Sequence, residues 1–271
     1  MQSNQPTTYK PVTNYKPVTS LATVLLANTR GFLLILLTLI LSLYASWMLN
    51  AQVGYGYSWL YQAYKIDQHI EKFAPQNRFR QHFALTSQQQ HKDIFQQIVN
   101  SVHNDGVGLE VISYDFALSD QSQLSHQSSK TVVPFLHSAE IVHLQDVAHL
   151  INRIHRLAAI LACVWLALLV LNFYSAVKAS VKGIAAVFSL LLMAIVLLFI
   201  WVGATEIFYQ LHVWIFPANN QWFFYYQDSL MSTLMKAPDL FGGMAVQIVL
   251  LGVIIFAGAV YGWQWGWVRK K

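Results

Sequence analysis

Residues 183–205 read GIAAVFSLLLMAIVLLFIWVGAT, a run without a single Asp, Glu, Lys, Arg or His. Roughly 20 such residues in a helix cross a hydrocarbon core about 30 Å thick, so this stretch is expected to span a bilayer. Three further runs share the property, at 31–49, 157–177 and 241–263. The whole chain agrees: of 271 residues, 55% are hydrophobic and only 11% charged, whereas a soluble domain carries charge on about a quarter. The sequence predicts an all-α membrane protein with four transmembrane helices and a first extracytoplasmic loop of mixed α/β character. The run at 31–49 is read as an uncleaved anchor, because thirty residues precede it and a secretory signal has a short basic start.

The 17 Lys and Arg residues orient the bundle, since short cytoplasmic loops retain positive charge. Lys10, Lys16 and Arg30 precede the first run, Lys178 and Lys182 lie between the second and third, and Arg269, Lys270 and Lys271 end the chain, while only Lys236 is basic between the third and fourth. Both termini are therefore expected in the cytoplasm. The expected order is a cytoplasmic segment 1–30, helix 31–49, extracytoplasmic loop 50–156, helix 157–177, cytoplasmic turn 178–182, helix 183–205, an aromatic extracytoplasmic loop 206–240, helix 241–263 and a cytoplasmic tail 264–271. All 12 acidic residues fall in or beside the two outward segments. The net charge of +5 thus reflects topology, and nucleic acid is not an expected partner. Cys163, the single cysteine, lies inside the second run and is read as packing, with no disulfide and no thiolate chemistry.

The first loop opens with Tyr55, Tyr57, Trp59, Tyr61 and Tyr64, suited to the headgroup interface. Thr86 or Ser87 caps an expected helix carrying Ile94, Phe95, Ile98, Val99 and Val102 at helical spacing, which Asn104, Asp105 and Gly106 stop. Val107, Leu109 and Val111 alternate like a short strand, and 120–130 is a Ser- and Gln-rich loop. A helix capped by Ser138 is expected to run towards the second span. The loop is too short and polar to promise a deep core of its own. The second outward segment packs His212, Trp214, Phe216, Pro217, Trp222, Phe223, Phe224, Tyr225 and Tyr226 close together; it is expected to fold against lipid or against the first loop.

The 10 histidines all fall outside the four runs. His137, His143, His149 and His155 recur every six residues, which scatters them around a helix. The zinc pattern of paired His is absent, and no metal or cofactor is expected. His143 stands out because Glu140 and Asp146 lie three residues to either side, a spacing that shares one helical surface. A carboxylate on one ring nitrogen fixes the tautomer and raises the basicity of the other. The bland alternative is a solvated charged face. His212 sits in the apolar run Leu211-His212-Val213-Trp214-Ile215-Phe216-Pro217, where an imidazole costs desolvation unless partnered, and Glu206 is the only acid near it in sequence. It either bonds to water and headgroups or converges with His143 from the other loop.

These residues resemble the lipoprotein intramolecular transacylases, together with relatives catalogued as four-helix integral membrane proteins of unknown function. The resemblance rests on Glu140-Ile141-Val142-His143-Leu144-Gln145-Asp146-Val147, on His212 through Phe216-Pro217 to Trp222, and on Pro238 with Phe241. It implies a bacterial cytoplasmic-membrane acyltransferase whose partners are membrane lipids and a diacylated lipoprotein. An acyl chain moves from the glyceryl group on the lipoprotein's N-terminal cysteine to that cysteine's α-amino group. His143 and His212 map onto the family's catalytic pair. On that reading His143, oriented by Glu140 or Asp146, takes a proton from the attacking amine, and His212 stabilises the oxyanion or returns a proton to the leaving oxygen. Nucleophile and ester share one substrate, so no acyl-enzyme is needed, in keeping with the lack of a Gly-x-Ser-x-Gly elbow. The chain departs from compact members in its first thirty residues, its long first loop and its Ser/Gln-rich insert. The rival class is a non-enzymatic envelope protein whose first loop binds a ligand or partner. An aqueous channel is disfavoured because no intramembrane charge marks a path.

Overall fold

The computed structural model describes residues 20–116, 131–175, 177, 180–216 and 219–268. Lys10, Lys16, the insert 120–130, Lys178, Pro217 and the basic tail 269–271 lie outside the described residues. The chain runs α1 (Leu21–Gln52), α2 (Tyr57–Ala63), α3 (Ile66–Phe73), α4 (Gln88–Val102), β1 (Ser113–Phe116), β2 (Thr131–Pro134), α5 (Ser138–Tyr174), α6 (Val181–Val202), α7 (Ala204–Ile215), α8 (Leu230–Met235) and α9 (Asp239–Val268). Four of these, α1, α5, α6 and α9, are long and apolar enough to cross a membrane.

The first helix is the hub of the bundle, packing on α9 and α5 and touching α6. Its buried stripe, Ala27, Gly31, Leu34, Leu37, Thr38, Ser42, Ser46, Asn50 and Ala51, is small or polar at every place but the two leucines. Between helices in lipid, close approach and interhelical hydrogen bonds replace the hydrophobic drive. Ser46 Oγ accordingly donates to Ile248 O on α9 at 2.7 Å, and Trp165 Nε1 on α5 donates to Thr38 Oγ1 at 2.8 Å. At Gly252 a Cβ would stand 2.7 Å from Leu43 Cδ2, so α9 meets α1 there through a missing side chain. Cys163 is exposed on the outer surface of α5 instead of being packed inside the bundle.

Two of the expected boundaries shift. The helix through 157–177 is the second half of α5, whose 37 residues reach about 55 Å at 1.5 Å per residue. Its N-terminal half, which carries Glu140, His143, Asp146, Arg153 and Arg156, therefore projects beyond the apolar span. The third run breaks before its expected end: Gly203 adopts φ 90°, ψ 141°, a region open essentially to glycine alone, so α6 stops and α7 sets off afresh.

The first loop, which promised no deep core of its own, shares one with the second segment expected on the same side. Tyr57, Leu60, Tyr61, Ile66, Ile70, Phe83, Ile94, Ile98, Tyr114 and Phe135 are buried together with Leu144, Ile151, Leu230 and Leu234. The second outward segment thus folds against the first loop, with Tyr57 Oη donating to Leu234 O and Arg78 pairing with Asp228 at 3.3 Å. Tyr57 and Tyr61 are core residues, only 3% and 1% exposed, because α2 turns them inward onto α4; Trp59 alone of the trio faces out. Ser87 caps α4 by accepting from Gln90 N. Leu109–Val111 forms a tight helical turn, and the strand lies further on, where Ser113–Phe116 pairs antiparallel with Thr131–Pro134. His137, not Ser138, caps α5: its Nδ1 accepts from Ala139 N, and Glu140 Oε2 accepts from His137 N at 2.7 Å. That is a capping box built with an imidazole in the usual place of a hydroxyl.

Candidate functional site

His143 lies in the second turn of α5 and is 8% exposed. The capping box below it fixes where the helix begins and so which way position 143 points. Phe216 stands 4.9 Å and Phe224 6.0 Å from its ring. Burial, then the neighbouring charge of His212, pushes its pKa down to about 4, while Asp146 opposes the shift. His143 is therefore neutral at pH 7.

His212 arrives from α7, and its ring centre lies 6.3 Å from that of His143. The two sequence-derived candidates thus converge from separate outward segments. Phe208, Trp222 and Phe216 surround His212 at 4.1, 5.1 and 5.3 Å. Burial lowers its pKa as well, partly offset by a hydrogen bond to the Phe208 carbonyl. That bond, 2.8 Å from Nδ1 to Phe208 O, decides the tautomer, because a carbonyl only accepts. The proton sits on Nδ1, and in the neutral ring Nε2 is left as a free base. Glu206, the acid the sequence offered, is instead exposed in the first turn of α7.

A direct bond between two imidazoles needs ring centres roughly 5 Å apart, so at 6.3 Å the two rings are neighbours that do not bond each other directly. Phe208, Phe216, Trp222 and Phe224 stand around the pair, and two neutral imidazoles there can accept one proton and donate another. Among the described residues no group of three His, Cys, Asp or Glu converges on a possible metal position.

The two carboxylates sit differently from each other. Glu140 is wholly buried, and both its oxygens are taken up away from His143: Oε2 accepts from His137 N, while Oε1 accepts from Ser229 Oγ at 2.5 Å and Met231 N at 3.2 Å. It joins the start of α5 to the start of α8. Asp146 accepts from Asn220 Nδ2 at 2.6 Å, tying α5 to the segment after α7, and acts on His143 through its charge. Ser229, Asn220, Gly203 and the Phe208 carbonyl were not singled out from sequence. Ser229 had a readable signal, a Ser ahead of an apolar helix; the others had none.

The family model described as lipoprotein intramolecular transacylase Lit matches residues 30–237. This range holds the first three apolar runs, all of segment 50–156 and all but the last three residues of segment 206–240. Comparison with curated proteins and with solved structures returned no match.

Proposed function

The chain belongs to the lipoprotein intramolecular transacylase family, and from that premise we propose that it transfers an acyl chain from the diacylglyceryl group of a lipoprotein to the α-amino group of its N-terminal cysteine. The reaction takes place at the outer face of a bacterial cytoplasmic membrane, with both termini in the cytoplasm. The observation that carries the reading is the convergence of His143 and His212, both kept neutral by burial, with ring centres 6.3 Å apart among aromatic side chains.

The α-amine, with an ordinary pKa of roughly 8, first gives its extra proton to solvent. Its nitrogen then attacks the ester carbonyl, and His212 Nε2 takes one of its two remaining protons as the C–N bond forms, the other staying on what becomes the amide nitrogen. His143, neutral, donates its N–H to the developing oxyanion, as an uncharged imidazole can when burial keeps it neutral. Collapse of the tetrahedral centre breaks the C–O bond, and the glyceryl oxygen leaves with the proton held by His212. One ester is lost, one amide is gained, and one proton passes from nitrogen to oxygen. His212 thus keeps the return of the proton to the leaving oxygen that the sequence suggested for it and takes over from His143 the part of base, with the Phe208 bond fixing Nε2 as its basic nitrogen. Glu140 and Asp146 act as positioning residues.

The test is expression in a bacterium lacking N-terminal lipoprotein acylation, with a reporter lipoprotein read by mass spectrometry. Acyl migration to the amine is expected, and His143→Ala and His212→Ala should each abolish it at unchanged protein level. A reporter left in its diacylglyceryl form, with the wild-type protein present in the membrane, would overturn the assignment in favour of a non-enzymatic envelope protein.

A further inference from the structure

On the other side of α5 from the histidine pair, where the outward half gives way to the apolar span, a cavity of about 570 Å³ is lined by Asp105, His149, Asn152, Arg153, His155 and Arg156. Its charge balance is positive, with two guanidiniums against one carboxylate. The carboxylate is occupied, since Asp105 Oδ1 accepts from Asn152 Nδ2 at 2.6 Å. Neither arginine pairs with an acid among the described residues; Arg156 reaches only the Asn152 carbonyl, at 3.4 Å. One wall is held firm by α1, whose Tyr44 hydroxyl bonds His155 Nδ1 at 2.9 Å while Trp47 stands 5.7 Å from the same ring.

A solvated basic face could place two arginines anywhere in the loop; here Arg156 directly precedes Leu157, the first residue of the expected crossing, so both stand at the edge of the apolar span. Leu157 and Ile160, four and seven residues after Arg153, lie on its helical face and are 54% and 61% exposed. Cationic forks thus stand directly above an apolar strip, with an interfacial Tyr and Trp beside them.

We propose that this pocket binds the phosphodiester of a glycerophospholipid of net negative charge, its acyl chain lying along Leu157 and Ile160. The planar guanidinium fork matches two phosphate oxygens at once, and Asn152 adds a neutral donor. The site is separate from the histidine pair, and its test does not depend on transacylation.

Full-length protein would be purified in micelles doped with equal phosphatidylglycerol and phosphatidylcholine, and the retained lipid counted by native mass spectrometry. Phosphatidylglycerol should be retained in preference, and Arg153→Gln with Arg156→Gln should cut that retention about tenfold, the loss expected for at least one charge-assisted hydrogen bond. Removing the same charge elsewhere, through Lys65→Gln with Lys72→Gln, should leave retention unchanged; an equal loss would show general attraction and overturn the site. Should the glutamine pair fail to fold, Arg153→Lys with Arg156→Lys keeps the charge and is still expected to lose retention; full retention there would refute recognition by the guanidinium fork. In a second arm, millimolar inorganic phosphate should not displace the lipid from wild type. Displacement would assign the pocket to soluble phosphate and overturn the lipid reading.

Discussion

The hydrogen bond from His212 Nδ1 to the Phe208 carbonyl sets which atom of the site is a base, and it lay beyond any reading of residue types because the acceptor is backbone. His143 and His212 themselves were legible, one through flanking acids and the other through an imidazole placed in an apolar run. What Glu140 does was not, since its partners Ser229 and Met231 lie 89 and 91 positions away. Both rings are kept neutral by burial, so the pH dependence of transfer should follow the substrate amine. Log rate should rise with pH with single-proton slope up to roughly pH 8, and His143 should impose its own loss only near pH 4, its lowered value. A break near 6.5 in reporter assays across pH would show a histidine titrating as if in water, and would sink the desolvated pair. Glu140→Ala strips the acceptor from three donors, and each buried donor left unpaired costs about 1–3 kcal/mol. A fall in melting temperature together with lost activity is expected, with Glu140→Gln recovering part of both because one oxygen remains.

Among the elements, the four spans were legible because nothing interrupts their apolar runs, whereas the α6–α7 break was not, since Trp201, Val202, Gly203 and Ala204 continue the same composition. Only the backbone angle at Gly203 shows it. No heavy atom lies within 4 Å of the place a Cβ would take there, so Gly203→Ala meets no clash, only backbone strain of about 1–3 kcal/mol. The variant should insert normally yet transfer slowly, as α7 turns to relieve the strain and carries His212 out of register. Wild-type activity in the presence of normal protein level would show that the angle at 203 does not position the ring. The course of α5 was largely legible, as a helix capped near Ser138 and running towards the second span; the cap itself moved to His137 because histidine is an unfamiliar cap. The short strand expected at Val107, Leu109 and Val111 gave way to a helical turn because alternation over so few residues is easily imitated by a turn.

Across the whole molecule, the outward domain is held by groups that must stay uncharged. His69, His91 and His143 each have a pKa lowered from 6.5 to about 4, first by burial. His91 is bonded on both sides, to Tyr61 Oη at 2.8 Å and Thr86 Oγ1 at 2.7 Å, so a proton there disrupts a closed chain. Because the folded values lie below the unfolded one, the unfolded chain binds more protons between pH 6.5 and 4. Stability contributed by these residues is full above 6.5 and is lost as pH falls through that window, at up to about 1.4 kcal/mol per pH unit for each and less for half-exposed His69. Hydrogen-exchange protection factors over 57–116 and 138–150, corrected for the slower intrinsic exchange in acid, should fall between pH 6.5 and 4.5; constant protection factors would contradict the assignment. The long α5 carries a consequence of another kind. At one end Asn172 accepts from Arg30 Nε at 3.2 Å, at the other His143 waits in the site, and no hinge lies between. Such a rod behaves as a lever whose fulcrum is the bilayer: thicker or thinner lipid changes its tilt, and the tilt sets how far the imidazole stands above the ester plane. Turnover in vesicles graded by acyl length should therefore pass through a maximum, making membrane thickness itself a setting on the proposed transfer.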